Sequence, residues 1–357
     1  MNSNKLLRTL NAVYKEKYPD INDLVYLLER NEPAEIESIL GFADKIRQKF
    51  IGSGIFLRGV IEISNHCRNA CLYCGLNKNN KRLERYRLNR KEILSSINKL
   101  WSQNIKTVVI QAGEDEKLDP EWVSKLIIKI KKNYYGIAVT LSLGEYKKDV
   151  FKLWKQSGAD RYLLKIETSN KTLYESLHPD MSYDNRIKCL NNLKELGYET
   201  GSGNIIGLRG QTSYTIAGDI IFFVKNKFEM IGIGPFIPHY NTELHDIKPG
   251  NVMMTLKTVA LTRIVTKYAN IPATSSLGSV GRMDYRVKGL MAGANVLMPN
   301  FTPQPYRKLY EIYPNKKCID EPVGACAFCM EGMAKSIGRY IDYSKGDNLG
   351  NKLKIIT

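Results

Sequence analysis

Histidine is scarce in this 357-residue chain, with four in all, and no run of eighteen apolar residues occurs in it. The lack of a long apolar run excludes a transmembrane helix, which needs about 20 such residues. The lack of histidine leaves few imidazoles for a histidine-built metal centre. The opening stretch MNSNKLLRTLNAVYKEKYPD has no continuous apolar segment and no small-residue cleavage site, so no secretory leader is expected. Acidic residues are also in deficit: 36 Asp and Glu stand against 53 Lys and Arg, a formal charge of +17. No repeat beyond a strand–helix alternation and no low-complexity linker is legible. A hydrophobic share of 43% and a charged share of 25% exclude global disorder. The expected setting is cytoplasmic, where structural disulfides are rare, so the seven cysteines need another explanation.

Six of the seven cysteines fall into two trios: Cys67, Cys71 and Cys74 in Cys-x3-Cys-x2-Cys spacing, and Cys318, Cys326 and Cys329 in Cys-x7-Cys-x2-Cys spacing. A tight trio in a reducing compartment points to metal or iron–sulfur ligation. Zinc would want four ligands. His66 abuts the first trio, but neighbouring residues chelate one ion poorly. An iron–sulfur cluster is therefore the reading of the first trio, and three thiolates on a four-iron cluster leave one iron open to a small molecule. The second trio leaves three readings: a bound cluster, zinc, or free thiols. Cys189 lies in a helical pattern and reads as a small buried hydrophobe.

Between the trios, short apolar runs alternate with helical patterns. Eight strands are predicted: 60–64, 107–111, 138–142, 162–167, 203–207, 230–236, 271–275 and 295–299. Helices are predicted over 90–103, 121–132, 146–156, 184–196, 213–227, 252–268 and 284–292. Eight such units match a complete (β/α)8 TIM barrel, with a doubly wound sheet as the other arrangement. Ahead of it, Ile36, Ile39, Leu40, Ala43, Ile46 and Phe50 form one helical stripe. The expected division is a helical extension over 1–55, a barrel over 56–300 and a cysteine-bearing extension over 301–357. Barrel chemistry sits at the C-terminal strand ends, where polar residues gather here.

The stretch Cys67-Arg68-Asn69-Ala70-Cys71-Leu72-Tyr73-Cys74, with an aromatic just before the last cysteine, resembles the signature of the radical S-adenosylmethionine (SAM) enzymes. That resemblance implies a 4Fe-4S cluster on Cys67, Cys71 and Cys74, SAM on its open iron, and reductive cleavage to a 5′-deoxyadenosyl radical. It also implies SAM contacts at Tyr73, Gly113, Glu114, Ser142, Glu167, Arg186, Ile205 and Pro235. Gly203-Asn204-Ile205-Ile206-Gly207 resembles the family's adenine-side strand. Longer stretches, among them RYRLNRKEI, IQAGED, VTLSLGE, GIGPFIPH and GANVLMPNFTPQPYRKLYEIYP, are similar to the HydE family of FeFe-hydrogenase maturases. The spacing of Cys318, Cys326 and Cys329 resembles that family's accessory cluster.

This closer resemblance implies work on the two-iron subcluster of the hydrogenase H-cluster, on a small iron–cysteine species bearing CO and cyanide or an amino-acid-derived substrate. Thr140, Thr274, Ser275 and Tyr310 would contact the substrate. An electron donor such as ferredoxin or flavodoxin and other hydrogenase maturases are the implied partners. Biotin synthase and methylornithine synthase are alternatives, as is a non-enzymatic iron–sulfur scaffold or carrier, which would need no adenosine pocket. One departure stands out: Lys165-Ile166-Glu167-Thr168 carries Ile166 where the family often has His.

The +17 charge first suggests nucleic acid. The cations are mostly dispersed on helix faces, and no aromatic-interleaved basic motif for stacking is present, so RNA is not the expected partner. Residues 78–91 concentrate seven basic residues and one acid. They form either a solvated face or a docking face for an acidic protein.

Overall fold

The structure, a computed structural model, describes residues 2–322 and 325–350, with the side chains of 2–3 and 325–327 outside that description. Among the described residues nine strands form two parallel sheets. Strands β2 (Gly59–Ser64), β3 (Thr107–Ala112), β4 (Ala138–Ser142), β5 (Arg161–Leu163), β6 (Glu199–Ile206) and β7 (Met230–Pro235) lie side by side in chain order. A second sheet has the order β8 (Val296–Leu297), β1 (Gly54–Leu57), β9 (Tyr340–Asp342). The unbroken order from β2 to β7 lacks the reversal that defines a doubly wound sheet, which sets that arrangement aside. Single bridges from Met230 to Asn270, Pro272 to Val296 and Val60 to Asn300 lead from β7 back toward β2.

Regular strand is shorter than expected in two places. The predicted strand 162–167 is β5 alone, followed by a single bridge from Glu167 to Asn204. The predicted strand 271–275 is no strand: Ser275 opens a short helix, Ser275–Ser279, and only single bridges remain before it. Pro272 has no amide to donate, which limits pairing there. The predicted boundary between 55 and 56 falls inside β1.

The helices sit where apolar spacing placed them, and their starts have a local cause. Asn89 and Glu92 form a reciprocal cap ahead of the helix Arg90–Ser102. Asp119 caps Pro120–Asn133, Ser182 caps Tyr183–Glu195, and Thr212 caps Ser213–Lys225. The stripe on Pro33–Phe50 buries Ile39, Ala43 and Ile46, and that helix packs on Val252–Thr266.

The pleat sorts side chains into two faces. Ile61, Ile63, Val108, Ile110, Val139, Leu141, Ile231 and Ile233 enter the main apolar core under the helices. Their alternates, among them Glu62, Gln111, Thr140 and Lys165, face the opposite side, the lumen. Ile166 is fully buried in the outer core with Tyr162 and Leu164, so a side chain at this position does not address the lumen. Residues 345–348 close the end opposite the cysteines. Arg161 reaches the Lys345 carbonyl and Asp347, and Arg58 and Asn270 donate to the Gly346 carbonyl. No helix among the described residues is long and apolar enough to cross a membrane.

Candidate active site

Cys67, Cys71 and Cys74 lie on the loop that leaves β2, and the tip of β3 pins that loop in place. The Gly113 amide donates to the Ser64 carbonyl at 3.0 Å and the Arg68 amide to the Glu114 carbonyl at 3.0 Å. Only glycine fits at 113, because a Cβ there would stand 2.2 Å from the His66 carbonyl oxygen. The Glu114 carboxylate accepts from the Arg68 guanidinium and, at 3.0 Å, from Asn69 Nδ2. Its side chain thus ties the loop to β3. Asp115 accepts from Ser64 Oγ at 2.7 Å and from Arg87 at 2.6 and 2.8 Å.

Arg85 grips the outer half of the loop. Its guanidinium donates to the carbonyls of Asn65 (2.6 Å), Leu76 (2.9 Å), Asn77 (2.8 Å) and Asn80 (3.3 Å). Nothing in the cysteine spacing points to Arg85; a basic residue that serves carbonyls scattered over fifteen positions is visible only in three dimensions. Glutamine cannot reach four carbonyls or carry the charge. Arg85→Gln is therefore expected to weaken retention of iron at this loop about 10–100-fold, the usual cost of losing a group that orients metal ligands. Chelator-challenge kinetics checks this, and unchanged retention would contradict it.

Burial raises all three thiols. Cys71 stands well above its ordinary value through burial and the neighbouring Cys74 and Cys67, and Cys74 is pushed up to about 12 by burial and Cys67. Cys67 is raised by burial. The three thiols are therefore close enough to act on one another. Among the described residues no three His, Cys, Asp or Glu converge as for a single ion. In a four-iron cluster each thiolate takes a different iron, so three thiols on one loop need not converge on a single point. The donor set, three thiols and no carboxylate, fits such a cluster, and loading it must release the three protons.

The remaining expected residues divide by position. The Tyr73 hydroxyl lies 2.7 Å from His178 Nε2, and His178 Nδ1 faces the Tyr174 carbonyl at 2.6 Å. Burial lowers His178 to about 4, so the imidazole is neutral and accepts from Tyr73. Tyr73 and Ile205 pack on one small apolar cluster with Leu208 and Phe236. At β6 and β7 the backbones nearly touch: a Cβ on Gly203 would lie 2.0 Å from the Gly232 carbonyl oxygen. Pro235 ends β7, in register with Ile206 of β6. Arg186 is engaged, with Nε 2.6 Å from Glu145 Oε1 and Nη1 on the Lys165 carbonyl.

Glu167 has φ of +62°, a left-handed conformation that costs a non-glycine residue energy. Its Oε2 lies 2.8 Å from the Lys165 ammonium, but the pair is not aligned as a hydrogen bond, so this buried oxygen keeps an open acceptor direction. Asp219, from the helix Ser213–Lys225, holds the turn. It accepts from the Ser169 amide (2.6 Å), Ser169 Oγ (2.7 Å) and Asn204 Nδ2 (2.9 Å).

Burial lifts Asp219 to about 6 from 3.8. Between pH 4 and 6 the folded state then holds more protons than the unfolded one at this group, so its contribution to stability falls as pH rises through that window. Asp219→Asn should remove that slope, up to about 1.4 kcal/mol per pH unit. Denaturation of both proteins at pH 4 and pH 6 measures it, and parallel behaviour would count against a raised Asp219.

Of the four residues expected at the substrate, Thr140 is buried with no partner for Oγ1. An orphaned hydroxyl on the lumen side is a ready contact for a small polar guest. Thr274 Oγ1 donates to the Ile233 carbonyl at 3.1 Å, and Ser275 Oγ lies 2.7 Å from the Tyr313 hydroxyl. Tyr310 is fully buried, bonded to Gln111, and lies under the Lys316 ammonium at 5.1 Å. Ser142 ends β4, half-buried, on the same face as Thr140. Glu62, Gln111, Lys165, Tyr313 and Lys316 join these residues without having been expected. Glu62, Gln111 and Lys165 carried a signal, being polar positions at period two within apolar strands. Tyr313 and Lys316 carried none.

In the second trio, Cys318 is half-buried with φ of +62°, and Cys329 is exposed on the helix Ala325–Ser336. The Cys326 side chain lies outside the described residues. Cys189 is buried, its thiol 3.6 Å from the Tyr146 carbonyl oxygen. It also borders a cavity of about 710 Å³ outside the loop, lined by Arg68, Glu114, Glu145 and Asn185.

Residues 61–218 match the model of the Radical SAM superfamily, which agrees with the cysteine loop at the strand ends: this is a radical SAM enzyme. Such enzymes work with a 4Fe-4S cluster and SAM. The chain is 46% identical over 312 residues, 87% of its length and 89% of the relative's, to the [FeFe] hydrogenase maturase subunit HydE of Thermotoga maritima, and it belongs to the HydE family of hydrogenase maturases. Among solved structures it is similar to the [FeFe]-hydrogenase maturase HydG, with a TM-score of 0.82 at 18% identity over 96% of this chain and 76% of that one. It is also similar to methylornithine synthase, PylB, with a TM-score of 0.80 at 23% identity over 94% and 97%. At those identities the likeness shows the fold alone.

Proposed function

We propose that this enzyme cleaves SAM reductively and uses the resulting radical in assembly of the two-iron subcluster of FeFe hydrogenase, on a small iron–cysteine species carrying CO and cyanide. The relation to the HydE of Thermotoga maritima over most of both chains carries this reading. The polar lumen, with its unpartnered Thr140 hydroxyl and open Glu167 oxygen, supports a small ligand beside the cysteine loop. When bound, the cluster supplies the electron that breaks the SAM sulfonium bond to give a 5′-deoxyadenosyl radical.

Cys67, Cys71 and Cys74 hold that cluster. Tyr73, Gly113, Glu114, Ser142, Glu167, Arg186, Ile205 and Pro235 shape the SAM site. In this reading Glu167 and Ile205 face the ligand, whereas Glu114 and Arg186 fix the walls through the partners described above. Thr140, Thr274, Ser275 and Tyr310 meet the substrate, and the cover formed by Tyr310, Tyr313 and Lys316 keeps water from the radical. The barrel is completed by the bridges between β7, residues 270–272, β8 and β2. Residues 1–55 and 301–357 act as extensions, the latter carrying an accessory cluster on Cys318, Cys326 and Cys329. A one-electron donor protein and the other maturases are the partners, in the cytoplasm.

The test is anaerobic reconstitution, reduction with dithionite and addition of SAM. Formation of 5′-deoxyadenosine is expected, followed by support of H-cluster assembly in vitro in place of a known HydE. Cleavage without assembly would instead favour a biotin- or methylornithine-synthase type of reaction. A loaded cluster with no cleavage would favour an iron–sulfur carrier.

A further inference from the structure

The cysteine loop has an outer face that the chemistry above leaves unused. Residues 75–91 fold over it. The Cys74 carbonyl accepts from the Asn77 amide at 3.0 Å and from Asn77 Nδ2, and the Gly75 carbonyl accepts from Asn80 Nδ2 at 2.8 Å. Arg85 points inward to the four carbonyls named earlier. Lys78 is paired with Asp180 at 2.5 Å and Arg87 with Asp115. Lys81, Arg82, Arg90 and Lys91 are exposed, and no ion pair among the described residues involves them. Arg90 stands over the Trp122 ring at 5.7 Å. Glu84 is the one acid of the stretch 78–91. Lys81 and Arg82 thus follow directly on the Asn77–Asn80 turn that closes over Cys74, and Arg90 and Lys91 open the helix that comes next, all four without an ion pair among the described residues. The aromatic of this stretch, Tyr86, is buried with its hydroxyl on the Glu62 carbonyl, so the face offers no ring of its own for stacking a base.

We infer that this face, built on Lys81, Arg82, Arg90 and Lys91, docks an acidic one-electron carrier protein and brings its redox group against the outside of the Cys74 loop. The inference rests on the radical SAM reading. The electron balance is simple: a reduced flavin in the carrier goes from hydroquinone to semiquinone, releasing a proton to solvent, and the four-iron centre takes the electron from its 2+ to its 1+ state. Cations at the rim of such a contact act mainly on encounter rate and salt dependence.

The experiment compares the reconstituted enzyme with the triple variant Lys81→Glu/Arg82→Glu/Lys91→Glu and with a control, Lys152→Glu/Lys225→Glu, whose exposed lysines lie on other helices. Binding to a purified flavodoxin is measured by calorimetry at two salt concentrations. Reduction of the cluster by flavodoxin hydroquinone is followed by electron paramagnetic resonance. The triple variant should bind on the order of 10–100-fold more weakly with its salt dependence reduced, and be reduced correspondingly more slowly by flavodoxin. Its reduction by dithionite and its dithionite-driven SAM cleavage should match the parent.

Equal binding by the parent and the triple variant would overturn the inference, as would equal losses in the control or no flavodoxin binding by the parent at low salt. Loss of binding to a single-stranded RNA with flavodoxin binding intact would also overturn it, in favour of RNA. Absence of dithionite-driven cleavage in the parent would instead refute the radical reading, which the calorimetry does not depend on.

Discussion

Cys71→Ser is expected to lose SAM cleavage completely, together with the spectroscopic signal of the cluster, while the circular dichroism of the protein stays that of the parent. Cys71 lies with its thiol 3.9 Å from the Met181 sulfur and stands well above its ordinary value through burial and the two neighbouring thiols. Binding iron repays the cost of ionising a buried thiol; a serine hydroxyl ionises far less readily and is a poorer partner for iron. The remaining two thiolates cannot hold a cluster with one defined open iron. The contrasting variants sharpen the test. Cys189→Ser alters a thiol that lies 3.6 Å from the Tyr146 carbonyl oxygen, away from the cysteine loop, and should spare cleavage. Cys326→Ser should also spare it if the second trio is accessory. Residual cleavage in Cys71→Ser, or complete loss in Cys326→Ser, would overturn this division of labour.

Lys316→Met should destabilise the protein by about 3–5 kcal/mol, the usual cost of removing one partner from a buried ion pair. Lys316 Nζ lies 2.7 Å from Glu62 Oε1, with both side chains below a tenth exposed. It also donates to the Tyr310 carbonyl at 3.0 Å. Without it, Glu62 keeps, among the described residues, Asn300 Nδ2 at 3.0 Å and Thr302 Oγ1 at 3.3 Å, neither of which carries charge. Adding Glu62→Gln to the variant should recover most of the loss, because a neutral amide needs no counter-ion. Chemical denaturation of both single variants and the double variant measures the coupling. A loss below about 1 kcal/mol in Lys316→Met would place the pair among solvent-screened contacts. The same contact fastens the C-terminal cover to β2, so limited proteolysis near residues 310–320 should accelerate in step.

Much of the site was legible because it depends on short-range order. Cys67, Cys71 and Cys74 lie within eight positions, and the Tyr73 ring sits among them. Gly113 was readable through the family resemblance, which places a SAM contact there. Its contact, the His66 carbonyl, was not. Glu114 and Arg186 show the limit more plainly. Their place beside the site was readable, but each is occupied, Glu114 by Arg68 and Asn69, Arg186 by Glu145 and the Lys165 carbonyl. Charge type is a property of the residue, whereas pairing depends on which strands and helices become neighbours. Ile166 makes the same point from the other side. A substitution that looks consequential in the motif falls on the outward face of the pleat and packs under helices.

The sequence by itself determined the family, the cysteine loop, the run of parallel strands and the helix starts, because cap residues, apolar periods and ligand spacing are all local. Only the tertiary structure decided that the predicted strand 271–275 dissolves into single bridges and a helix. It also revealed that Arg85 organises the cysteine loop, that Asp219 braces Glu167, and that Lys316 crosses the chain to neutralise Glu62. In each case the partners are far apart in sequence, and which carbonyl or carboxylate a buried cation must satisfy is settled only when distant strands share one low-dielectric interior.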